Sequence, residues 1–268
     1  MRSDRKGGGQ HLRVRQGTQV FANGLANSLP QGIIHLNTPV KAVTQRKQHE
    51  VYVQANEVTV SARKIVTTVP SPALKDISFA PPLPPSKSAW IQSSGYGFYT
   101  KAMMEFRSPF WIEKGCCGLV QSFVGPASVV RDTSSPSDSK HVLTCFMAGD
   151  PGRTWAAKSA GEREESLIVQ LQQLFGVTDL RKDFLKMYAY DWADDQWSGW
   201  GCPCASLTPG VISTFGADAL RQPWHDVHFA GTETAGEWKG YMEGACRSGE
   251  RVAAEVIHSF GPILAAKL

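Results

Sequence analysis

The stretch HFAGTETAGEWKGYMEGACRSGER (residues 228–251) decides the fold of this chain. Residues 227–230 form a short apolar run typical of a buried strand, and the periodicity after them predicts a helix over residues 241–260. Unpaired amides at the start of such a helix attract anionic or electron-rich ligands, and the glycines at positions 231, 236, 240 and 244 leave room for a large planar one. The pattern alone fits equally a ligand site or a tight strand–helix packing joint. One helix face is predicted to carry Ala245, Gly249, Val252 and Val256.

The composition is that of an ordinary soluble globular protein. Of the 268 residues, 42% are hydrophobic and 19% are charged, which suffices for a sizeable core. The net charge of +4 is spread along the chain without a Lys/Arg block, so we expect no nucleic-acid partner. No apolar run approaches the roughly 20 residues of a membrane span. The six cysteines lack zinc-site spacing, which predicts buried thiols and no metal.

Strand and helix patterns alternate without internal repeats, which indicates an α/β or mixed α+β protein. An amphipathic helix is predicted over residues 19–29, with Val20, Phe21 and Leu25 on one side. A second helix is predicted over residues 162–175, and residues 81–85 form a proline-rich connector. Strands are predicted over residues 33–36, 51–54, 58–61, 64–68, 100–106 and 142–147.

The motif HFAGTETA-x-x-W-x-G-Y-M-E-G-A-x-x-S-G-x-R closely resembles the C-terminal flavin-binding segment of the monoamine oxidase family. The resemblance implies FAD as cofactor. It places Glu233 and the backbone of residues 231–234 near the ribityl-pyrophosphate. It places Met242 under the isoalloxazine, with its amide reaching a pyrimidine-ring oxygen. The implied cofactor residues in this segment are Gly231, Thr232, Glu233, Thr234 and Met242.

The same resemblance implies catalytic and substrate residues. Tyr241 becomes one wall of an aromatic cage that orients the amine, although taken alone it would be interpreted as a core aromatic. Lys101 in YTKAMMEF, followed by SPFW, matches an active-site lysine that holds a water against the flavin and takes part in reoxidation by oxygen. Burying a lysine in an apolar strand is costly, which also favours a functional role. Gln10 and Phe146 match substrate-cavity positions.

Three further positions resemble cofactor contacts. Val40 in NTPVKAV matches a contact to the adenine end of FAD, and Trp192 matches a tryptophan beside the flavin. Cys202 falls where some family members attach FAD through a thioether, and both covalent and non-covalent attachment stay open. Pro203 replaces the usual second aromatic wall, for which Trp200 is an alternative.

The family's N-terminal strand–G-x-G-x-x-G–helix unit has no counterpart in this sequence. The match therefore covers about the second half of a family member, and we expect an α/β protein with the N-terminal βαβ unit missing. The expected parts are a partial FAD-binding domain (residues 16–90 and 196–258), a mixed-sheet substrate domain (1–15 and 91–195) and a tail (259–268).

The implied reaction is oxidation of an amine to an imine and then an aldehyde, with release of ammonia and hydrogen peroxide. The alternative is a non-catalytic truncated homologue that binds no FAD and acts through protein partners. The C-terminal Ala266, Lys267 and Leu268 are a variant of the address read by the peroxisomal import receptor, so we expect a peroxisomal, otherwise cytoplasmic, protein. The expected small molecules are an amine and oxygen. A homodimer and the identity of the amine are left open.

Overall fold

The computed structural model describes residues 12–261, which form a mixed α/β fold, as predicted. The helices are α1 (Gln19–Asn27), α2 (Pro85–Ser93), α3 (Phe110–Glu113), α4 (Gly149–Ala156), α5 (Ala160–Phe175), α6 (Val211–Phe215) and α7 (Met242–Ser259). The strands are β1 (Val40–Lys47), β2 (Glu50–Ala55), β3 (Val58–Ala62), β4 (Ile65–Thr67), β5 (Ser78–Ala80), β6 (Ser94–Gly95), β7 (Tyr99–Phe106), β8 (Val120–Gln121), β9 (Val129–Asp132), β10 (His141–Ala148), β11 (Phe184–Tyr190), β12 (Ser206–Leu207) and β13 (Val227–Phe229).

The first sheet has the strand order β3-β2-β1-β5, with an antiparallel meander and a parallel pairing of β5 with β1. Its two tight turns contain His49 (φ 59°) and Asn56 (φ 49°), in the left-handed conformation that asparagine tolerates well. The predicted strands over residues 51–54 and 58–61 are confirmed. Strand β1 was not predicted, because only Val43 and Gln45 are buried in it and its basic residues obscure the alternation.

Residues 33–36 form no strand, contrary to the prediction. Ile33, Ile34 and Leu36 are exposed, and no described strand pairs with this segment. Isolated apolar residues become a strand only when a neighbour accepts their backbone hydrogen bonds. The predicted helix over residues 19–29 is confirmed as α1, but its apolar side is also exposed and none of its residues is buried.

The second sheet, β11-β7-β10-β9-β8, is antiparallel throughout and carries the larger core. Buried and outward residues alternate along β7, and α5 covers the sheet through Leu167, Ile168 and Leu171. A capping box between Ser159 and Glu162 starts α5, and Gly176 (φ 60°) ends it. The sequence pattern predicted this helix correctly because its apolar residues recur at helical spacing.

A separate core cluster joins the first sheet to the parallel pair β4 and β13. Its members include Val43, Val51, Trp90, Leu220 and Phe229. This cluster draws on chain segments before residue 92 and after residue 206, while the other core lies between residues 102 and 187. The predicted domain boundaries themselves stay a prediction.

Helix α7 buries Val252 and half-buries Val256 of the predicted face, but this face does not extend to the start of the helix. The buried residues are Gly244, Ser248 and Val252, whereas Ala245 and Gly249 are exposed. A Cβ on residue 244 would lie 2.3 Å from the backbone oxygen of Trp238, so glycine is required for this close approach. The helix therefore packs through its smallest residue, which the sequence pattern could not distinguish from its neighbours.

The cysteines also differ from the expectation of buried thiols. All six are free, but Cys116, Cys117 and Cys246 are exposed and only Cys145 is fully buried. Burial raises the pKa of the Cys145 thiol to about 12, so this group stays protonated. Within residues 12–261, no helix combines the length and the apolar character that crossing a membrane requires.

Candidate active site

The turn that follows β13 presents free backbone donors. Gly231 adopts φ 97°, a conformation that favours glycine, and turns the chain towards α7. Within the described range, the amides of Thr232 and Glu233 and the first three amides of α7 donate to no protein group. Such amides bind anionic or electron-rich ligand atoms, so the structure supports a ligand site here.

The carboxylate of Glu233 is fixed by Ser71. The Ser71 amide donates to Glu233 Oε2 at 2.8 Å, and the Ser71 hydroxyl donates to the same oxygen. Burial raises the pKa of Glu233, while the Ser71 amide and the charge of Lys239 oppose the rise. The sequence prediction did not include Ser71. The sequence signal that could have identified Ser71 is its position directly after Pro70, close to the end of the strand predicted over residues 64–68.

Two side chains of α7 fasten the helix to this turn. Ser248 Oγ accepts the Gly231 amide at 2.9 Å. Arg251 donates to the Phe229 carbonyl at 2.7 Å and to Thr234 Oγ1 at 3.0 Å. Both residues belong to the quoted motif, yet only the tertiary contacts identify them as supports of the turn.

Thr232 links the turn to the start of α7. Its hydroxyl donates to the Tyr241 carbonyl at 3.0 Å and accepts the Gly240 amide at 2.7 Å. Tyr241 and Met242 are both more than half exposed, and the Tyr241 ring meets Trp238 edge-on at 6.0 Å between centroids. Tyr241 and Met242, the two residues predicted to face the flavin, therefore lie exposed at the N-terminus of α7. Thr232 of the turn holds this end of the helix in place.

A cavity of about 270 Å³ adjoins the turn. Tyr96 forms part of its wall and packs so closely on residue 201 that a Cβ there would lie 2.4 Å from the tyrosine. Burial, reinforced by the charge of Glu233, raises the pKa of Tyr96 to about 12. Six predicted cofactor residues line this one cavity: Trp192, Cys202, Gly231, Thr232, Glu233 and Thr234.

The strand residues Lys101 and Phe146 are direct cross-strand partners in the second sheet. Phe146 lies 5.8 Å from the ring of Tyr99, whose carbonyl accepts the Cys202 thiol at 3.4 Å. Burial raises the pKa of Cys202, and the positive charge of Lys101 opposes the rise. Lys101 is exposed rather than buried, because alternation along β7 turns it away from the core. The argument from burial cost therefore does not apply to it.

The other predicted site residues lie apart from this cavity. Val40 lines a second cavity, of about 340 Å³, which shares Val69 and Pro70 with the first. Trp200 is about half exposed and does not line the first cavity. Gln10 and the tripeptide Ala266, Lys267 and Leu268 lie outside the described residues.

Comparison with known proteins gives the class to which this fold and site belong. A profile of the family described as flavin containing amine oxidoreductase matches residues 1–257, and the chain belongs to that family. The family implies FAD as cofactor, as the sequence motif predicted. The chain is 31% identical to the probable flavin-containing monoamine oxidase A of Dictyostelium discoideum, covering 95% of this chain and 55% of that protein. It is also 31% identical to the flavin-containing amine oxidase B of Cavia porcellus, covering 96% and 49%.

Solved structures agree with this assignment. Cyclohexylamine oxidase from Brevibacterium oxydans superposes with a TM-score of 0.84 at 30% identity, covering 92% of this chain and 53% of that one. Putrescine oxidase in complex with putrescine superposes with a TM-score of 0.82 at 27% identity, covering 91% and 54%. The chain thus spans about half the length of the curated relatives it matches.

Proposed function

We propose that this chain forms the flavin- and amine-facing half of an FAD-dependent amine oxidase. The reaction would convert an amine to an imine, which water hydrolyses to an aldehyde and ammonia, with release of hydrogen peroxide. The observation that carries this proposal is the convergence of six motif-derived residues from separate segments on one cavity, beside free backbone amides.

The residues present fit the cofactor that the family implies. The amides after Gly231 and at the start of α7 offer donors to electron-rich atoms, and the cavity wall combines Trp192, Tyr96 and Cys202. When bound, FAD would supply the redox chemistry, accepting a hydride equivalent from the amine carbon and passing electrons to oxygen. Val40 would contact its adenine end, and Met242 the ring system. The Cys202 thiol leaves both modes of attachment open.

The chain's own residues would orient the reactants. Tyr241 and Phe146 present aromatic surfaces, which attract amines and help to exclude water. Lys101 stands beside Phe146 on the same face of β7 and β10, where we propose that its ammonium group holds a water needed for reoxidation. A neutral amine that gives up a hydride needs no carboxylate or histidine base.

Flavin binding tests the proposal directly. The purified chain, incubated with FAD and freed of excess by gel filtration, should retain visible flavin absorbance and bleach anaerobically with benzylamine, cyclohexylamine or putrescine. Gly231→Ala should abolish flavin retention, because alanine is strained at φ 97°. Gly236→Ala, in the same motif and with its nearest contact at an ordinary 3.5 Å, should retain it. A wild-type chain that stays colourless would contradict the proposal for this chain alone.

The alternative function is that of a non-catalytic homologue acting through protein partners. The exposed apolar side chains of α1 and of the segment after it favour it, since contiguous apolar surface promotes association. A colourless chain that forms a defined complex, detected by light scattering, would support this alternative. A flavin-retaining, amine-reducible chain would exclude it.

For localisation we propose import into peroxisomes through Ala266, Lys267 and Leu268, with the peroxisomal import receptor as partner. Compartments that contain catalase suit an enzyme that releases peroxide. A fluorescent reporter ending in this tripeptide should give punctate fluorescence, and the same reporter lacking the final leucine should be diffuse. Diffuse fluorescence from both reporters would contradict the proposal.

A further inference from the structure

Strand β3 (Val58–Ala62) is an open edge of the first sheet. Its only partner among the described strands is β2, because the sheet ends there in the order β3-β2-β1-β5. Antiparallel pairing uses the main-chain groups of alternate residues, so the remaining amides and carbonyls of β3 point away from β2. Within residues 12–261, no other group bonds to them. The strand therefore presents unpaired main-chain donors and acceptors.

The other edges of the four-stranded and five-stranded sheets carry features that discourage pairing. Strand β5 has three residues and β8 has two, and β11 contains Lys186 with a register shift beside it. Short strands, lysines and bulges are devices by which edge strands avoid further pairing. The five residues of β3 include no charge and no proline, and their pairing with β2 is regular. Of these edges, β3 is therefore the one best suited to accept another strand.

One face of β3 is apolar and only half covered. In the cross-strand register, Val58 lies opposite Ala55 of β2, and Val60 lies opposite Val53. Ala55 is 4% exposed, whereas Val58 and Val60 are 53% and 51% exposed. The apolar face of the sheet thus continues to its edge and stops there. A further strand would extend this face and cover the two valines.

The sequence around Val60 is complementary to itself. Glu57 lies three residues before Val60, and Arg63 lies three residues after it. When two copies of β3 pair antiparallel about Val60, Glu57 of each copy faces Arg63 of the other. Val60 then faces its own copy, and Val58 faces Ala62, so apolar residues meet on one face. This arrangement has two-fold symmetry and closes on itself, which limits the assembly to two chains.

The charges at the two ends of β3 are available to a partner. Glu57 and Arg63 are exposed, and within the described part of the chain neither forms a salt bridge. The Arg63 guanidinium lies 4.6 Å from the centroid of the Phe260 ring. An exposed cation–π contact is about as strong as an exposed ion pair, so the arginine can turn towards a carboxylate at little net cost in free energy.

We propose that two copies of this chain associate through antiparallel pairing of their β3 strands, which extends the first sheet across a two-fold axis. A second copy is favoured over another polypeptide because a single register satisfies three conditions. It opposes unlike charges at both ends of the strand, it joins the two apolar faces, and it pairs the main-chain groups that point away from β2.

Reversing the charge at one end of β3 tests the register. Light scattering of the purified chain over roughly 1–100 μM should show the mass of two chains at the upper concentrations. Glu57→Arg should weaken this association about tenfold or more, because both symmetric contacts change from attraction to repulsion. The double variant Glu57→Arg/Arg63→Glu should restore it. Glu113→Arg is the matched control, since Glu113 is exposed, lies on α3 and forms no salt bridge within residues 12–261.

Three results of this experiment would overturn the proposal. The first is a monomer throughout the concentration range. The second is an equal effect of Glu57→Arg and Glu113→Arg. The third is a double variant that associates as weakly as Glu57→Arg.

A cross-link at the centre of the strand locates the interface independently of charge. Directly opposed residues of antiparallel strands have Cα atoms about 4.5–5.5 Å apart, within the range of a disulfide. Val60→Cys should therefore give a cross-linked peptide pair in mild oxidant, identified by mass spectrometry. Val58→Cys, which faces Ala62 in this register, should not. Equal yields from both variants, or no cross-link in either, would contradict the interface.

Dimerisation and the proposed oxidase function can fail separately. A chain that retains no FAD should still dimerise through β3, and a flavin-retaining chain that stays monomeric would refute only the β3 interface. A complex that Glu57→Arg disrupts is a homodimer, so it does not favour the non-catalytic alternative.

Discussion

The Thr232 hydroxyl bridges the start of α7, donating to the Tyr241 carbonyl at 3.0 Å and accepting the Gly240 amide at 2.7 Å. The side chain is therefore engaged with the protein, and only the Thr232 backbone is free to serve a ligand. This geometry assigns Thr232 a positioning role for the segment that carries Tyr241. In Thr232, a predicted cofactor residue, the hydroxyl therefore positions the protein, whereas the backbone amide is free to bind the cofactor.

Replacing this hydroxyl should loosen the segment without changing the residue's volume. In Thr232→Val the Gly240 amide loses its acceptor, and its hydrogen exchange should accelerate about fivefold, as expected for a hydrogen bond worth about 1 kcal/mol. Thr232→Ser keeps the hydroxyl and should exchange like the wild type. Unchanged protection of Gly240 in the valine variant would contradict the bridging role.

Glu233 should make stability depend on pH. Because its folded pKa lies above the ordinary 4.5, the folded state binds more protons between these two values, so the free energy of unfolding falls as pH rises through that window. Glu233→Gln should remove the fall, and Ser71→Ala should extend it to higher pH by removing a donor to the carboxylate. Urea unfolding at a series of pH values measures this, and parallel curves for wild type and Glu233→Gln would refute it.

Lys87 should make the free energy of unfolding rise with pH, which is the opposite of the effect expected for Glu233. It is 1% exposed, donates to the carbonyls of Ala219 (3.0 Å) and Leu220 (2.7 Å), and lies 3.8 Å from the Phe229 ring centroid. Burial lowers its pKa from 10.5 to about 7. Above pH 7 the unfolded state binds more protons, so the free energy of unfolding should rise with pH, by at most about 1.4 kcal/mol per pH unit.

The Lys87→Met variant should lose this rise between pH 7 and 10, and Lys114→Met, at an exposed position, should keep it. Chemical unfolding measured across the same buffers gives the difference between the curves. If the free energy of unfolding still rises by the same amount in Lys87→Met, the rise does not come from Lys87.

Because α7 approaches Trp238 closely at Gly244 but not at Gly249, replacing these two glycines by alanine should affect stability differently. In Gly244→Ala the new Cβ would meet the Trp238 carbonyl at 2.3 Å, and the resulting backbone shift should destabilise the protein by about 1–3 kcal/mol. Gly249 has no atom within 4 Å of such a Cβ, so Gly249→Ala should be neutral or stabilising by up to about 1 kcal/mol. Denaturant unfolding compares the two variants, and equal effects would contradict the observed helix face.

The charge of Lys101 should control the reactivity of the Cys202 thiol. Lys101→Met removes the charge that opposes the burial-raised pKa of Cys202, so less thiolate forms at a given pH and alkylation should slow. Lys186→Met, on the neighbouring β11, should leave the rate unchanged. Peptide mass spectrometry after iodoacetamide treatment quantifies Cys202 separately from the other cysteines, and an unaltered rate in Lys101→Met would refute the electrostatic coupling.

In protein that holds FAD, Lys101→Met should also slow reoxidation by oxygen more than reduction by the amine. Stopped-flow absorbance separates these two half-reactions. Equal slowing of both would remove the proposed role of Lys101 in oxygen chemistry.

Local sequence determined the elements whose signals agree at short range. The apolar spacing of α5 predicted that helix, and the strand-like stretches over residues 100–106 and 142–147 predicted β7 and β10. The quoted motif predicted the family and its cofactor, because its resemblance to the family's flavin-binding segment is a property of contiguous residues.

Other features needed partners that are distant along the chain. The sequence predicted a strand over residues 33–36, but within residues 12–261 no strand pairs with them. The predicted face of α7 groups Ala245 and Gly249 with Val252, but the helix buries Gly244 with Val252 instead, because glycine and alanine give no reliable signal of burial and only contact with Trp238 selects Gly244. Ser71 meets Glu233 across 162 residues, and Gln45 meets Asp226 across 181.

The stretch at residues 228–251 by itself indicated the family and the class of cofactor through its resemblance to the family's flavin-binding segment. It also determined the glycine turn, which follows from local backbone conformation. Only the tertiary structure decided that Thr232 braces Tyr241 and that Lys101 lies exposed beside Phe146. The physical reason is that burial, pKa shifts and bridging hydrogen bonds depend on groups that packing brings together from separate segments of the chain.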